Sequence, residues 1–547
     1  MRKPARKPTI ENEYAFAPHE RPTMPGSPYA PSHPVRRKLG YVIVAIIMAM
    51  AASLSNAIVS VNSQPLAGAL GVTTTQITWL LAVYVAFNAS ANLLLIKARM
   101  RFGIPPVMRA LLWPYILLVF AQLLWPSFGL AIVARAAGGF LAAGMSSLVI
   151  YNLMQVFPAK FRPLAIVFAV GLPQLAIPIA RLLPVEQLMI NGQQTIHLIE
   201  LGLVVAAVAG ANLVPLPPTD KVKAFDPLDA LTVALFLPAM LLLSVVLVMG
   251  RSLWWTDTPW LGWALAVSVG LFFLVGLVEH LRANPLLHLR WIGSKDILRF
   301  CAVAMLVRLA LSEQTYGTLG LLTVGGLNND QLHGLFIVIL FAMIGGTVMS
   351  AVLLKAPRIP YMIIVAALII ALGSGLDSFA SSLTRPPQLY LPQALLAFGS
   401  TFFIGPALLF GFGKVLEQGK GFIVSFSVMF GLSQNIGGLA GSALLSSYQV
   451  IQARAHTQSM YSHLLAGDPA VAARAQGGIA SLAQVVSREA NVAAFNDVAR
   501  LVMVIAVLTA LYIGYLIVLK RLADRKLALA GPSSSTAQSS PNPKAAA

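Results

Sequence analysis

Runs of about 20 apolar residues recur along almost the whole chain, each long enough to carry an α-helix across a hydrocarbon core about 30 Å thick. Few folds accept such runs. In lipid every backbone polar group must be satisfied internally, so the sequence predicts an all-α, polytopic membrane protein. Only 10% of the 547 residues are charged, against about 25% in soluble domains, which excludes a soluble globular fold.

Fourteen spans are expected, near 40–61, 76–97, 107–126, 128–150, 163–183, 195–215, 228–249, 259–280, 297–321, 332–354, 360–380, 389–411, 421–446 and 499–519. Residues 1–38 are polar and Pro-rich and read as a disordered tail, too long for the basic start of a secretory signal. Residues 282–295 read as a basic amphipathic stretch. The segment 447–497 is Ala-, Gln- and Ser-rich and helix-compatible, a cap or docking surface on one reading and a solvated connector on the other. From 521 the chain reads as a second tail, Ser/Pro/Ala-rich from Gly531.

A formal charge of +19 in a soluble chain would suggest nucleic acid. Here the loops explain it, and no nucleic-acid partner is expected. With the spans alternating, 29 of the 38 basic residues fall on the side of the N-terminus and 7 on the other, while Arg135 and Arg308 lie inside spans. That asymmetry predicts cytoplasmic termini and basic loops resting on anionic lipid. A single cysteine, Cys301, excludes a disulfide framework and a multi-cysteine metal site. No phosphate-binding loop, spaced metal-ligand set or nucleophile elbow is present, so neither an enzyme nor a cofactor or metal is expected.

A faint internal repeat appears at an offset of 260 residues. Gly171-Leu172-Pro173-Gln174 recurs as Gly431-Leu432-Ser433-Gln434, and Gly139 pairs with Gly399. The offset spans eight helices, as it would if two six-helix halves (39–216 and 297–520) were separated by a linker and two inserted helices (217–296).

Charged groups inside spans mark candidate sites, because each costs about 2.5 to 3.5 kcal/mol at a helix centre on insertion scales. Arg135 either faces protein or a wet cavity, or snorkels to the nearby boundary. Arg308 and Glu313 lie about 140° apart around a helix, so each needs its own partner. Glu313 suits proton or substrate handling, with a structural pair the alternative. His197 and Glu200 share a helical face and make a candidate proton relay, or a polar helix start. Pro173, Pro178, Gly437, Gly438 and Gly441 allow kinks and close helix approach. Asn56, Asn88, Gln174, Gln434 and Asn435 are candidate cavity or interhelical polar groups, as are Asn92 and Tyr151.

Several stretches carry a resemblance. Residues 54–103, with Leu70-Gly71, Gln76, Trp79 and Arg101-Phe102-Gly103, are followed by Arg135-Ala136-Ala137-Gly138-Gly139. Phe225-Asp226-Pro227-Leu228-Asp229, Trp254-Trp255 and the run Asn284-Pro285-Leu286-Leu287-His288-Leu289-Arg290 come next, then Ser433–Ser442. Together they resemble the major facilitator superfamily, in its fourteen-span drug:proton antiporter branch of EmrB/QacA type, over about residues 40–520. The resemblance implies proton-coupled efflux of a small amphiphile across an inner membrane, with a periplasmic adaptor and outer-membrane channel as partners. It also implies coupling or gating roles for Arg135, Arg101, Gly103, Gly138 and Gly139.

The departures are as informative. Ser55 stands where the family's first-span acid falls. The loop Ile96–Gly103 lacks the motif's first Gly and its Asp, and Ile177–Arg181 is a reduced form of the fifth-span Gly-Pro element. These losses leave open a divergent, non-transporting receptor or scaffold. Few intramembrane acids and several arginines favour an anionic or neutral substrate over a cationic one.

Overall fold

The computed structural model describes residues 10–12, 16–22, 26–188, 194–464, 468–476 and 478–529. The start of the expected N-terminal tail, the loop 191–193 and the tail 530–547 lie outside them. Among the described residues, thirteen helices are long and apolar enough to cross a membrane. In chain order the helices that build the bundle are α1 (Val35–Val61), α2 (Thr74–Phe102), α3 (Ile104–Leu124), α4 (Phe128–Met154), α5 (Ala159–Leu182), α6 (Gln194–Leu213), α7 (Pro227–Met249) and α8 (Pro259–Leu281). They continue with α9 in two pieces (Lys295–Ala310 and Ser312–Val324), α10 (His333–Leu353), α11 (Ile359–Asp377), α12 (Tyr390–Gln418), α13 (Ile423–Ser462) and α14 (Ile479–Leu529).

Local chemistry sets many of the ends. Thr73 and Asp226 cap α2 and α7 in reciprocal boxes with Gln76 and Asp229, and Ser127 caps α4. Gly103, at φ +83°, turns the chain from α2 into α3 in a conformation that side chains resist, and Arg101 sits in the last turn, where the helix dipole favours a cation. Pro173 ends the regular part of α5, and a 3₁₀ turn over Leu172–Leu175 kinks it before the segment that contains buried Pro178.

Two sets of helices pack among themselves. In the first, α4 lies against α1, α2 and α3, and α6 against α1 and α3; in the second, α12 lies against α10 and α11, and α14 against α11 and α13. The sets meet where α13 crosses α2 and where α5 crosses α10 and α12. Helix α7 packs on α2 and α8, leaving α8 on the outside. The face where α1 begins and α2 ends is called proximal below, the opposite one distal.

Several expectations are corrected. The tail is not disordered throughout: residues 27–30 are buried, the Tyr29 hydroxyl donates to Asp220 at 2.6 Å, and Gln155 donates to the Tyr29 carbonyl at 3.0 Å. Ile10–Asn12 also pairs antiparallel with Lys221–Val222. The ninth span is not one helix. It breaks at Leu311, where the Ser312 hydroxyl reaches both the Arg308 carbonyl (3.3 Å) and the Gly438 carbonyl of α13 (3.2 Å). Segment 282–295 has one buried face, with Arg282, Leu286, Leu287 and Trp291 inside and Asn284, Arg290 and Lys295 exposed, and the Glu279 carboxylate accepts the Leu286 and Leu287 amides.

Most of 447–497 continues α13 and α14 as a distal hairpin. Its strands of helix are tied by Gln449 to Asn491 (2.8 Å) and by His456 to Asp497 (2.7 Å). A helix of 40 residues is about 60 Å long, twice the hydrocarbon thickness, so α13 must project. At the other end α14 runs to Leu529, past the expected start of the C-terminal tail at 521.

Candidate functional site

Three polar constellations lie inside the bundle. The first is enclosed by the first set of helices. Arg135 of α4 turns inward, 3% exposed, and pairs with the Glu200 carboxylate of α6. Its guanidinium also donates to Ser55 Oγ (3.3 Å), which donates to Glu200 Oε1 (2.7 Å) and lies 3.0 Å from the Tyr115 hydroxyl. His197 Nδ1 stands 3.3 Å from Glu200 Oε2. Arg135 therefore faces protein rather than snorkelling, and His197 and Glu200, in the first two turns of α6, are buried. Glu200 thus brings a carboxylate from α6 to Ser55 of α1. Gly138 lies against the Tyr115 ring.

The second constellation, at the distal end of the second set, was only half visible in the sequence. Glu313, in the second piece of α9, is 2% exposed and faces Asp377, the last residue of α11, across Thr318. The Thr318 hydroxyl is 2.9 Å from Glu313 Oε1 and 3.3 Å from Asp377 Oδ2, and Gln393 of α12 donates its amide to Asp377. Glu313 Oε2 and Asp377 Oδ1 are buried with no hydrogen-bond partner. Among the described residues, no cation pairs with either acid. Asp377 lies near the end of the expected span 360–380 and was not among the sequence candidates.

The third is a cavity of about 230 Å³ where the two sets meet. The first set contributes Asn88, Asn92, Ser146, Ser147, Arg99 and Tyr151; the second contributes Phe412, Phe426, Phe430 and Asn435. Asn435 donates to the Asn88 side chain at 3.1 Å across the junction, and Asn88 donates to the Gly139 carbonyl at 3.2 Å. Arg99 is buried at the proximal end with its guanidinium 5.5 Å from the Tyr151 ring centre, and its Nε has no partner. Close by, Arg308 donates to the Gln434 carbonyl (3.3 Å) and lies along Gly437 and Gly438, while Gly441 touches Leu309 and Ser312. Arg308 and Glu313 thus serve different places. Asn56 and Gln174 are half-buried and do not line this cavity.

At the distal end the sets are clasped shut. Arg181, ending α5, donates to Asn329 Oδ1 (3.3 Å), accepts from its amide through the carbonyl (2.8 Å), and lies over Phe336 of α10 at 5.7 Å. At the proximal end, Lys97 of α2 pairs with Asp229 of α7 at 2.6 Å, and Arg282 joins Asp229 (2.7 Å) to Glu279 (2.8 Å). This network holds the end of α2 against α7.

No family model matches the sequence, and no curated protein matches it. Solved structures do. The human organic anion transporter MFSD10 (TETRAN) superposes with a TM-score of 0.53 at 13% identity, covering 87% of this chain and all of that one. The POT family transporter PepTSo gives a TM-score of 0.52 at 15% identity, covering 89% of this chain and 99% of its own. The fold is of the major facilitator type.

Proposed function

We propose that this protein is a secondary transporter that moves a small amphiphilic molecule by alternating access between two six-helix halves, with α7 and α8 inserted between them and the broken ninth span, α9, bringing the count to fourteen. The observation that carries this reading is the Asn88–Asn435 cavity at the junction of the two sets, clasped distally by Arg181 and Asn329 and reaching Arg99 proximally. Binding sites of such proteins lie between the repeats that rock. Arg99 lines the cavity and no acid does, which fits an anionic or neutral solute. The organic anion transporter of similar fold transports solutes of that sign by its name.

Glu313 and Asp377 supply a proton site. Two buried carboxyls bridged by one hydroxyl, with no cation paired to them among the described residues, form a place where a proton is held and released. Arg135, Glu200 and His197 are then a fixed pivot in the first half. In this reading the protein belongs to the EmrB/QacA-type branch, exports its substrate as a proton antiporter, and sits in an inner membrane with both termini cytoplasmic. Its basic proximal loops rest on anionic lipid, and the distal hairpin of α13 and α14 is the surface offered to a periplasmic adaptor leading to an outer-membrane channel.

The test is transport in proteoliposomes under an imposed pH gradient, with substrate exchange at equal pH as control. Glu313→Gln and Asp377→Asn are expected to abolish gradient-driven accumulation and to keep exchange. Unchanged accumulation in Glu313→Gln removes the proton assignment, and loss of exchange in every Arg99 and Asn88 variant supports the central cavity.

A further inference from the structure

The second set holds a space larger than the central cavity. A slot of about 500 Å³ opens where the proximal ends of α9, α11, α12 and α14 splay apart, more than twice the volume at the junction. Along α12 its lining runs from Phe403 to Lys414, eleven residues and about 16 Å of helix, so it is long rather than round. Its walls are Phe300, Ile363, Phe403, Phe410, Ile513 and Ile517, and its mouth carries Arg299, Lys414 and Lys520.

Ordinary packing does not explain such a space. Interiors of folded proteins are close-packed, and voids larger than a water molecule are few. The mouth is also charged with one sign in excess. Asp296 lines it too, and Glu417 pairs with Lys414 at 3.2 Å, yet Arg521, stacked 5.8 Å over Tyr361 beside Pro360, brings the cations to four against two acids. Leu298, Tyr361 and Leu519, 41–52% exposed, flank the opening with apolar surface.

We propose that this slot holds one acyl chain of an anionic phospholipid from the proximal leaflet, with the phosphate at Arg299, Lys414 and Lys520. An apolar bore ending in a cationic mouth matches a molecule that is apolar over most of its length and negative at one end. Basic pockets between transmembrane helices bind acidic headgroups by the same electrostatics. The site is separate from the junction cavity: the two share no lining residue.

The experiment uses the full chain in nanodiscs containing phosphatidylglycerol or phosphatidylcholine with a photoreactive group on the acyl chain, and maps the labelled peptides. Phosphatidylglycerol is expected to label Phe300–Ala304, Phe403–Phe410 and Ile513–Ile517. Labelling should fall about fivefold for each charge removed in R299Q/K520Q, both exposed positions. Ala407→Phe, which fills the slot, should abolish labelling at these peptides, and the charge variant keeps the proposal testable should that protein fail to fold. Equal labelling by the two lipids, label confined to Leu298 and Tyr361 on the outer face, or full labelling of R299Q/K520Q overturns the proposal. Displacement of the label by a transported solute or by inorganic phosphate does so as well, reassigning the slot to that solute or to a free anion.

Discussion

At the scale of single residues, the two buried carboxylates Glu200 and Glu313 differ in their partners, and the difference is measurable. Glu200 is paired with Arg135 and bonded to Ser55, whereas Glu313 is hydrogen-bonded to Thr318 beside Asp377 and, among the described residues, has no ion pair. Removing one member of a buried ion pair strands the other, at a cost of about 3–5 kcal/mol. Arg135→Ala and Glu200→Gln should therefore lower the unfolding temperature in detergent sharply, while R135M/E200L recovers most of it. Glu313→Gln strands no cation, so its unfolding temperature should be unchanged or higher. A fall equal to that of Glu200→Gln would mean that Glu313 is held by a charge partner. The helical spacing of His197 and Glu200 was legible in the sequence, as was the rarity of Arg135. That Glu200 would reach Ser55 was not, because nothing in a linear pattern orients α6 against α1. Asp377 was hidden for a different reason: its significance comes from Thr318 and Gln393, on two other helices, which meet its carboxylate only in the fold.

At the scale of elements, apolar runs located the spans well, since the bilayer fixes their length. They failed where tertiary contacts override hydropathy. The break at Leu311 carries no Pro or Gly and depends on Ser312 bonding to α13; the projecting ends of α13 and α14 are helices because they pair with each other outside the expected spans. Glycine spacing was more telling. A methyl group added at Gly139 would meet the Tyr84 carbonyl oxygen at 2.5 Å and the Asn88 amide nitrogen at 3.0 Å, both backbone atoms that cannot step aside. The second set makes the matching contact with the glycine on the other helix, Gly346 of α10 facing the Phe398 carbonyl of α12. Gly139→Ala should push α2 from α4 at a cost of about 1–3 kcal/mol and should weaken transport, because Asn88 rides on the displaced segment. Gly262 of α8 has open space around it, so Gly262→Ala should stabilise by about 0.5–1 kcal/mol through helix propensity alone. Thermal unfolding of the two variants side by side separates a packing role from a merely permissive one; equal shifts would refute the close-approach argument.

At the scale of the whole molecule, the repeat and the motifs pointed to the architecture, but the state in which the two sets are held was invisible in the sequence. It depends on contacts 148 residues apart, between Arg181 and Asn329. That clasp closes the distal end, while at the proximal end the Lys97–Asp229–Arg282–Glu279 network ties α2 to α7 and α8, and the His288 amide donates to Ser425 Oγ of α13 at 2.9 Å. A rocking transporter must populate the opposite state, and a mutation shifts that balance only by the contacts it removes from one state alone. Asn329→Ala deletes two hydrogen bonds to Arg181 and touches nothing in the cavity, so the distal-open population should rise. Net hydrogen bonds of this kind contribute about 0.5–1.5 kcal/mol each, which sets the rise at roughly five- to a hundredfold for the pair. The measurement is maleimide labelling of Asn92→Cys in a Cys301→Ser background, in oriented proteoliposomes. Reagent on the distal side should label the Asn329→Ala protein faster by that factor, with proximal labelling slowed. A chain that keeps the fold without transporting predicts no change at Asn92 from either side, since its two sets would have no second arrangement to enter.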